Sequence, residues 1–441
     1  VGSETLGEAL GRWRLLRGLS FRQLGKLTNY SHVYVWEIET GRKPSQPEFV
    51  AACDRALAAG GQLIAIAART RTADGDGGDE GLGLEFPTDW LEGIRTVTTL
   101  WRHDAGRRRF LRDAAFVSSA FTVPVKRWLE LVDGPAGTAD ALSEPPTAGT
   151  VREMTRTFRR LDNRYGGGQI RSAVVQYLDT DVAPMLRAGP PETLGRGFLS
   201  AVAEMTHLAG WLAYDACDHG IAQRYFIQAL RLAMAAHDQA LGAEILAGTS
   251  HQAIFLGRAK PAVELARAAH QTATRARVPA LVAEASVMKA HAYARLNMER
   301  ECTEALTEAE TTFDQADRAE DPQWISYLDE AYLAAISGHC FLALGHREQA
   351  QRFARRSLDM HPGYVRGRLF NTLLLAGTHV LEREVEQTCA VGNEALDLAS
   401  TVSSGRAVTY IDGLVRQLQP WRTDRRVKAF AERAKMVTAQ G

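Results

Sequence analysis

Cysteine is scarce: five residues, at positions 53, 217, 302, 340 and 389, scattered through 441. They form no C-x-x-C pair and no metal-ligand spacing, which suits a reducing compartment and argues against a disulfide scaffold or a structural metal. No apolar run reaches the roughly 20 residues that cross a bilayer, and no leader pattern opens the chain. A cytoplasmic protein without a membrane partner is expected. Excess charge of either sign is missing too, with 52 Lys and Arg against 52 Asp and Glu, so the whole chain is no general polyanion binder. Enzyme signatures are lacking: no G-x-S-x-G, no metal-ligand set and no carboxylate pair at a catalytic spacing. Gly166–Gly168 is not followed by the Lys-Ser/Thr of a phosphate loop, and Asp74, Asp76 and Glu85 mimic a calcium loop only in part, because Gly78 offers no side-chain ligand. Neither a cofactor nor an enzymatic activity is expected.

What is present begins at residue 20. The stretch SFRQLGKLTNYSHVYVWEIETGRK (20–43) reads as two short helices joined by a tight turn. Ser20 and Gln23 make a capping box, Leu24 and Leu27 give the first helix an apolar face, and Thr28-Asn29-Tyr30 supplies turn chemistry. Ser31 caps the second helix, Val35 and Ile38 face inward, and Gly41 stands where a left-handed C-terminal cap is needed. An earlier helix carries Leu6, Leu10, Trp13 and Leu16. A later one carries Phe49, Val50, Cys53 and Leu57, is stopped by Gly60-Gly61, and precedes a short helix over 62–68. Trp36 reads as packing. The segment to residue 70 holds nine Lys and Arg against six Asp and Glu, a modest excess that fits a specific reader better than a nonspecific one.

Leu19-Ser20-x-x-x-Leu24, the Ser31 cap and Ile38-Glu39-x-Gly41-Arg42 resemble the Cro/repressor-type (XRE) helix-turn-helix domain. The resemblance implies that the helix after Ser31 enters a DNA major groove. By position, His32, Val33 and Glu37 would then meet base edges, while Ser31, Tyr34, Arg42 and Lys43 would hold phosphates. It also implies an ion pair between Arg14 and Glu39. Phe21 departs from the family, which usually has Gln there, and so puts that glutamine's DNA contact in doubt.

Further organisation follows from composition. Residues 71–85 read as a flexible acidic linker, 86–132 as a helical connector with clustered Arg102, Arg107, Arg108, Arg109 and Arg112, and 133–150 as a loop or disordered linker. From 151 to 441 the chain is helical and, from about 200, repetitive. Small residues recur at Gly210, Ser250, Ala290, Gly338 and Gly377, with spacings of 40, 40, 48 and 39. A second helix with small residues four apart follows, as in Ala222/Phe226/Ala229, Ala262/Ala266/Ala269 and Ala350/Ala354/Ser357. These units resemble tetratricopeptide repeats with lengthened loops, which implies an α-solenoid and an all-α protein.

The resemblance maps a groove-facing row. Glu204, Glu244 and Glu284 share one repeat position, which Asn371 takes in the last unit; Trp211, His251, His291 and His339 share another. Such a ladder suits a peptide or a small polar ligand, although helix-dipole preference and ordinary packing explain the same residues. The whole arrangement is similar to peptide-sensing quorum regulators and, more closely, to actinobacterial XRE–repeat regulators. A homodimer on a palindromic double-stranded operator, modulated by a signal in the groove, is implied. The alternative is a repeat-type interaction adaptor whose helix-turn-helix docks proteins, for which Phe21 and the apolar Val33–Trp36 stretch speak.

Overall fold

The computed structural model describes residues 6–28, 30–40, 45, 47–57, 59, 61–64, 66, 81–106, 115–133 and 146–439. Gly41, Arg42, Lys43, Arg107–Arg109 and Arg112 lie outside them. All regular structure among the described residues is helical, and the chain divides into two compact units, Val1–Gly81 and Leu82–Gly441. Among these residues no helix is long and apolar enough to cross a membrane.

In the smaller unit α1 (Leu6–Leu16), α2 (Phe21–Thr28), α3 (His32–Glu39) and α4 (Pro47–Leu57) enclose Ala9, Leu10, Leu24, Val35, Ile38, Phe49, Val50, Cys53 and Leu57. Residues 62–64 and 66 are helical, as the sequence suggested. Buried Asp54 ties that segment down by accepting from the Gly61 and Leu63 N–H groups at 2.8 and 3.0 Å. Two apolar assignments need correction. Leu27 is 60% exposed and Leu16 67% exposed, so α2 buries only Leu24 of its leucines, and α1 ends on a solvent-facing pair with Leu15.

The larger unit begins with α5 (Trp90–Ala105), α6 (Thr122–Asp133), α7 (Pro146–Tyr165) and α8 (Gly167–Tyr177), followed by two single-turn helices, α9 (Ala183–Leu186) and α10 (Pro191–Leu194). Five helix hairpins come next: α11/α12 (Arg196–Asp215, His219–Ala236), α13/α14 (Gln239–Phe255, Ala259–Ala276), α15/α16 (Pro279–Arg295, Glu299–Asp314), α17/α18 (Glu330–Leu344, Arg347–Arg356) and α19/α20 (Val365–Leu381, Val385–Ala399). Then α21 (Gly405–Gln417) and α22 (Arg425–Thr438) end the chain. The repeated small residues do what their spacing required. A Cβ on Gly210 would stand 2.7 Å from the Phe226 ring, and Ser250 Oγ donates to the Ala262 carbonyl at 2.8 Å. Backbones of each pair thereby approach closely enough to bury Ala222, Ala229, Ala262, Ala266, Ala269, Ala350 and Ala354 completely.

Three expected boundaries shift. Residues 82–85 are no linker: Arg224 donates to the Leu82 carbonyl at 2.7 Å, and Gln228 to the Gly83 and Glu85 carbonyls at 3.0 and 2.8 Å. Nor is 86–132 a separate connector. Trp101 and Trp128 are fully buried against the repeats, and Trp128 Nε1 donates to Thr272 Oγ1 at 3.0 Å. The third change is that the expected loop over 133–150 gives way to helix at Pro146, where a missing N–H costs nothing. A buried polar stripe on α12 (Gln223, Arg224, Gln228 and Arg231) explains the first of these, because it offers donors and acceptors to irregular backbone that would otherwise need water. Gln223 pairs with both the N–H and the carbonyl of Val117, at 2.8 and 2.7 Å.

The row of hairpins turns back on itself. Helix α7 packs along α11 at the start of the row and against α19 near its end. Gly166, at φ +84°, lets the chain pass so near Ser403 that any Cβ would overlap the Ser403 carbonyl. Ser403 N–H donates to the Tyr165 carbonyl at 2.9 Å, and Gly168 N–H to the Ser403 carbonyl at 3.3 Å. Beneath this junction four buried charges meet. Arg366 lies 2.7 Å from Asp162 and 3.5 Å from Asp215, and Arg406 lies 3.0 Å from Asp215. Burial alone would raise Asp215, but Arg366 and Arg406 outweigh it and hold this carboxyl below its usual range. At Asp162 burial dominates, and its pKa is pushed up to about 6.

Substituting Arg366→Met removes the cation paired with Asp162, leaving it only the more distant Arg406, and leaves Asp215 with one partner fewer. Removal of one partner from such a buried set typically costs about 3–5 kcal/mol. Urea unfolding followed by circular dichroism should show an earlier transition for the larger unit and an unmoved one for residues 1–81. Coincident wild-type and variant curves would refute this role.

Candidate functional sites

The turn of the smaller unit is built as its sequence suggested. Ser20 and Gln23 form the reciprocal box, with Ser20 N–H donating to Gln23 Oε1 at 2.8 Å and Gln23 N–H to Ser20 Oγ at 3.3 Å. Ser31 stands in extended backbone, and its Oγ accepts from Tyr34 N–H at 3.1 Å, so α3 begins at His32. Arg14 and Glu39 make the two-pronged pair that the resemblance implied, at 2.6 and 2.7 Å, and Arg14 also donates to the Leu19 carbonyl at 2.8 Å. That arrangement fixes α1 against the end of α3.

Phe21 has an explanation that sequence alone did not supply. Its half-buried ring lies 4.1 Å from the Arg14 guanidinium carbon, so it covers the ion pair with an aromatic face. The exposed residues at the start of α3 are His32 and Val33, the latter 48% exposed, while Glu37 is half-buried one turn on. Tyr34 behaves differently from its neighbours. Its ring stacks on Tyr30 at 5.4 Å and meets Phe49 edge-on at 5.0 Å, which makes it a packing residue that holds α3 to α4. Trp36 is half-buried. On α2 the exposed cations Arg22 and Lys26 are additions that the family pattern did not single out.

In the larger unit the expected ladder separates into two groups. Trp211, His251 and His339 are half-buried and His291 is buried, and they face the end of the chain. Tyr410 of α21 packs against Phe255, Phe370 and His339 at 5.7, 5.5 and 6.2 Å. Arg406 lies over Tyr214 at 4.4 Å, Phe370 at 4.8 Å and Trp211 at 5.5 Å. His251 Nδ1 meets the Tyr214 hydroxyl at 2.8 Å, and the His291 and His339 rings stack at 5.7 Å. Burial pushes His251 down to about 3 and His339 to about 4, and holds His291 well below its usual value. These imidazoles are neutral packing groups at neutral pH. Potential metal ligands converge elsewhere: atoms of His379, Glu382 and Glu384 come within 4.8 Å of one another.

The glutamates face a different part of the chain. Glu204, Glu244 and Glu284 are all buried. The long 48-residue interval between repeat positions 290 and 338 carries Gln323, Trp324 and Tyr327 toward them. Tyr327 Oη contacts Glu244 at 2.9 and 3.0 Å and also touches Glu284 Oε1. One phenol has one proton to give, so a carboxyl must donate in one of these contacts. Glu284 is the donor, since burial and then the neighbouring Glu244 charge hold its pKa well above the ordinary range. Asn371 joins neither group: its Nδ2 donates to the Ser357 carbonyl at 2.6 Å and closes the turn after α18.

Around Glu204 a cavity of about 320 Å³ opens between α7 and the first two hairpins. Arg152, Arg156, Ser200, Glu204, Asp238 and Trp324 line it. Sequence reading found Glu204 but missed the arginines, whose i, i+4 spacing on α7 was the available signal.

Residues 5–65 match the family model described as a helix-turn-helix domain. No curated protein matches the chain.

The protonated Glu284 has a measurable consequence. Between the unfolded carboxyl value of about 4.3 and its raised folded value, the folded state holds one more proton, so its contribution to stability falls as pH rises. The neutral isostere Glu284→Gln removes that slope. Thermal melts should show the variant gaining on wild type from pH 5 to pH 8, and a gap independent of pH would disprove the assignment.

Proposed function

We propose that this chain is a sequence-specific DNA-binding transcription regulator, acting as a homodimer, whose repeat unit takes up a peptide or small-molecule signal. One observation carries the reading. A matched helix-turn-helix domain presents His32 and Val33 at the exposed, Ser31-capped start of α3, held by the Arg14–Glu39 pair. In that geometry an α-helix enters the major groove by its N-terminal end. His32 would donate to a guanine or accept from a base amino group, Val33 would meet a thymine methyl, and Glu37 would accept from cytosine N4. Ser31, Arg42 and Lys43 would set register on phosphates. The five helix hairpins support the tetratricopeptide-like part of the reading, and in a dimer of the actinobacterial type that we propose the paired readers would sit roughly 34–36 Å apart or at a multiple of that distance.

Phe21 no longer favours the adaptor reading, because its ring is occupied with Arg14. Of the Val33–Trp36 stretch only Val33 is exposed, and the exposed Leu15, Leu16 and Leu27 are features the structure adds in that reading's favour.

Selection of genomic fragments by the full-length protein tests the proposal. A recurring palindrome is the expected result. Against it, His32→Ala should lose roughly 1–3 kcal/mol and relax preference at one position. Lys43→Ala should weaken all sequences alike and reduce the salt slope by about one. Binding with no preferred sequence, abolished by salt, would overturn the reader and leave the adaptor.

A further inference from the structure

We propose that the turn between α19 and α20 is a binding site for one first-row divalent cation of the zinc type, held by His379 Nδ1 and by one carboxylate oxygen each from Glu382 and Glu384. The site stands independently of the DNA-reading proposal. It departs from the expectation, drawn from ligand spacing, that the chain holds no metal.

Comparison of the five hairpins isolates these residues. Each turn is built alike, around one residue in the left-handed region: Cys217, Gly257, Asn297, Gly345 and Arg383. The next residue's N–H then donates to the carbonyl five residues before it, at Ala213, Ala253, Tyr293, Phe341 and His379. Four of these five side chains are alanine or aromatic hydrocarbon rings, and the last alone is an imidazole. Ala216, Leu256, Leu296 and Leu344 precede the left-handed residue in the same four turns, where the last has Glu382. The backbone of this turn therefore asks for neither histidine nor glutamate. Both enter at positions that the row otherwise fills with apolar groups.

Helix electrostatics does not account for them either. Glu382 is the C-terminal cap residue of α19, at the negative end of the helix dipole, where a carboxylate is disfavoured. Glu384 stands at the N-terminal cap of α20 but makes no capping hydrogen bond; its Oε2 meets His379 Nδ1 at 2.6 Å instead. Among the described residues neither carboxylate forms an ion pair with a lysine or arginine. Donor atoms of all three residues lie within 4.8 Å of one another. With one imidazole to two carboxylates the group carries excess negative charge, which a divalent cation cancels.

The nitrogen donor sets the metal class. His379 is 6% exposed, and imidazole suits zinc, iron, nickel and copper, whereas magnesium and calcium take oxygen ligands. Bonds of about 2.0–2.2 Å to a tetrahedral zinc place donor atoms roughly 3.4 Å apart. Reaching that takes a small spread of the His379–Glu384 contact and an approach by Glu382. Rotation of the exposed Glu384 and half-buried Glu382 side chains supplies both. Gln351 Nε2 of α18 already donates to Glu382 Oε2 at 3.1 Å, which orients that carboxylate and leaves its other oxygen for the metal. The cation takes the place of the proton between Nδ1 and Glu384. Three protein donors leave the fourth position to water.

The test uses the full-length, untagged protein, freed of metal by chelation and titrated with zinc and with cobalt in calorimetry, visible absorption and thermal shift. One equivalent should bind and raise the melting temperature. Glu384→Gln lies at an exposed position, and Glu382→Leu installs the residue that three other hairpins carry, so both variants should fold. Each should weaken zinc binding at least tenfold. His379→Ala should abolish it, and if that variant folds poorly the two glutamate variants decide. A sulfur-to-cobalt charge-transfer band would place the metal on a cysteine and overturn the site. Absent binding, zinc affinity unchanged in both glutamate variants, or an equal response to magnesium would each overturn it as well.

Discussion

Asp215 is the residue on which the larger unit depends. It ends α11, the first helix of the hairpin row, and is completely buried. Its two oxygens collect Arg366 from α19, Arg406 and Ser404 from the start of α21, and the Gly167 backbone N–H from the junction after α7. A solenoid is quasi-one-dimensional, and each hairpin needs only its neighbour. Here a single carboxylate makes the two ends of the row interdependent. Its desolvation is tolerable only because two guanidinium groups and further donors surround it. The same requirement explains why Gly166 must be glycine and why Ser403 pairs with backbone more than 230 residues earlier.

Closing the row changes what its inner face can do. In an open solenoid the first helix of each hairpin presents side chains to a ligand. In this chain Arg406 and Tyr410 already stand among Trp211, Tyr214, Phe255, His339 and Phe370. The histidines are pushed toward the neutral form by that enclosure, so they act as aromatic walls more than as charged contacts. The glutamates are answered by the chain as well, through Tyr327 and the arginines of α7.

Local signals were legible in the sequence, and long-range ones were not. The capping box at Ser20 and Gln23, the Ser31 cap and the small residues at Gly210 and Ser250 act within a few residues or between adjacent helices, and the structure reproduces each. Leu27 was misread because periodicity marks a face without saying whether anything covers it. The segment 82–85 was misread for the opposite reason. Its one glycine and one glutamate follow a glycine- and acid-rich run and suggest a linker, but Arg224 and Gln228, some 140 residues away, satisfy its carbonyls. The cavity was half visible: Glu204 follows the repeat, whereas Arg152 and Arg156 lie on a helix that precedes it, and no periodicity relates the two.

Helix α7 joins the two themes. Its C-terminal end carries Asp162 into the buried charge cluster, and its middle carries Arg152, Arg156 and Arg159 to the glutamates. The helix is one continuous element from Pro146 to Tyr165, so its two ends cannot move independently without breaking backbone hydrogen bonds. The ion pair of Glu204 with Arg159 therefore bears on the same body that closes the row. That pair, at 3.6 Å, anchors the middle of α7 to α11 as well. The Asp215 cluster resists any arrangement that separates α7 from α11 and α19. The charges on α7 thus tie both ends of the row to one helix.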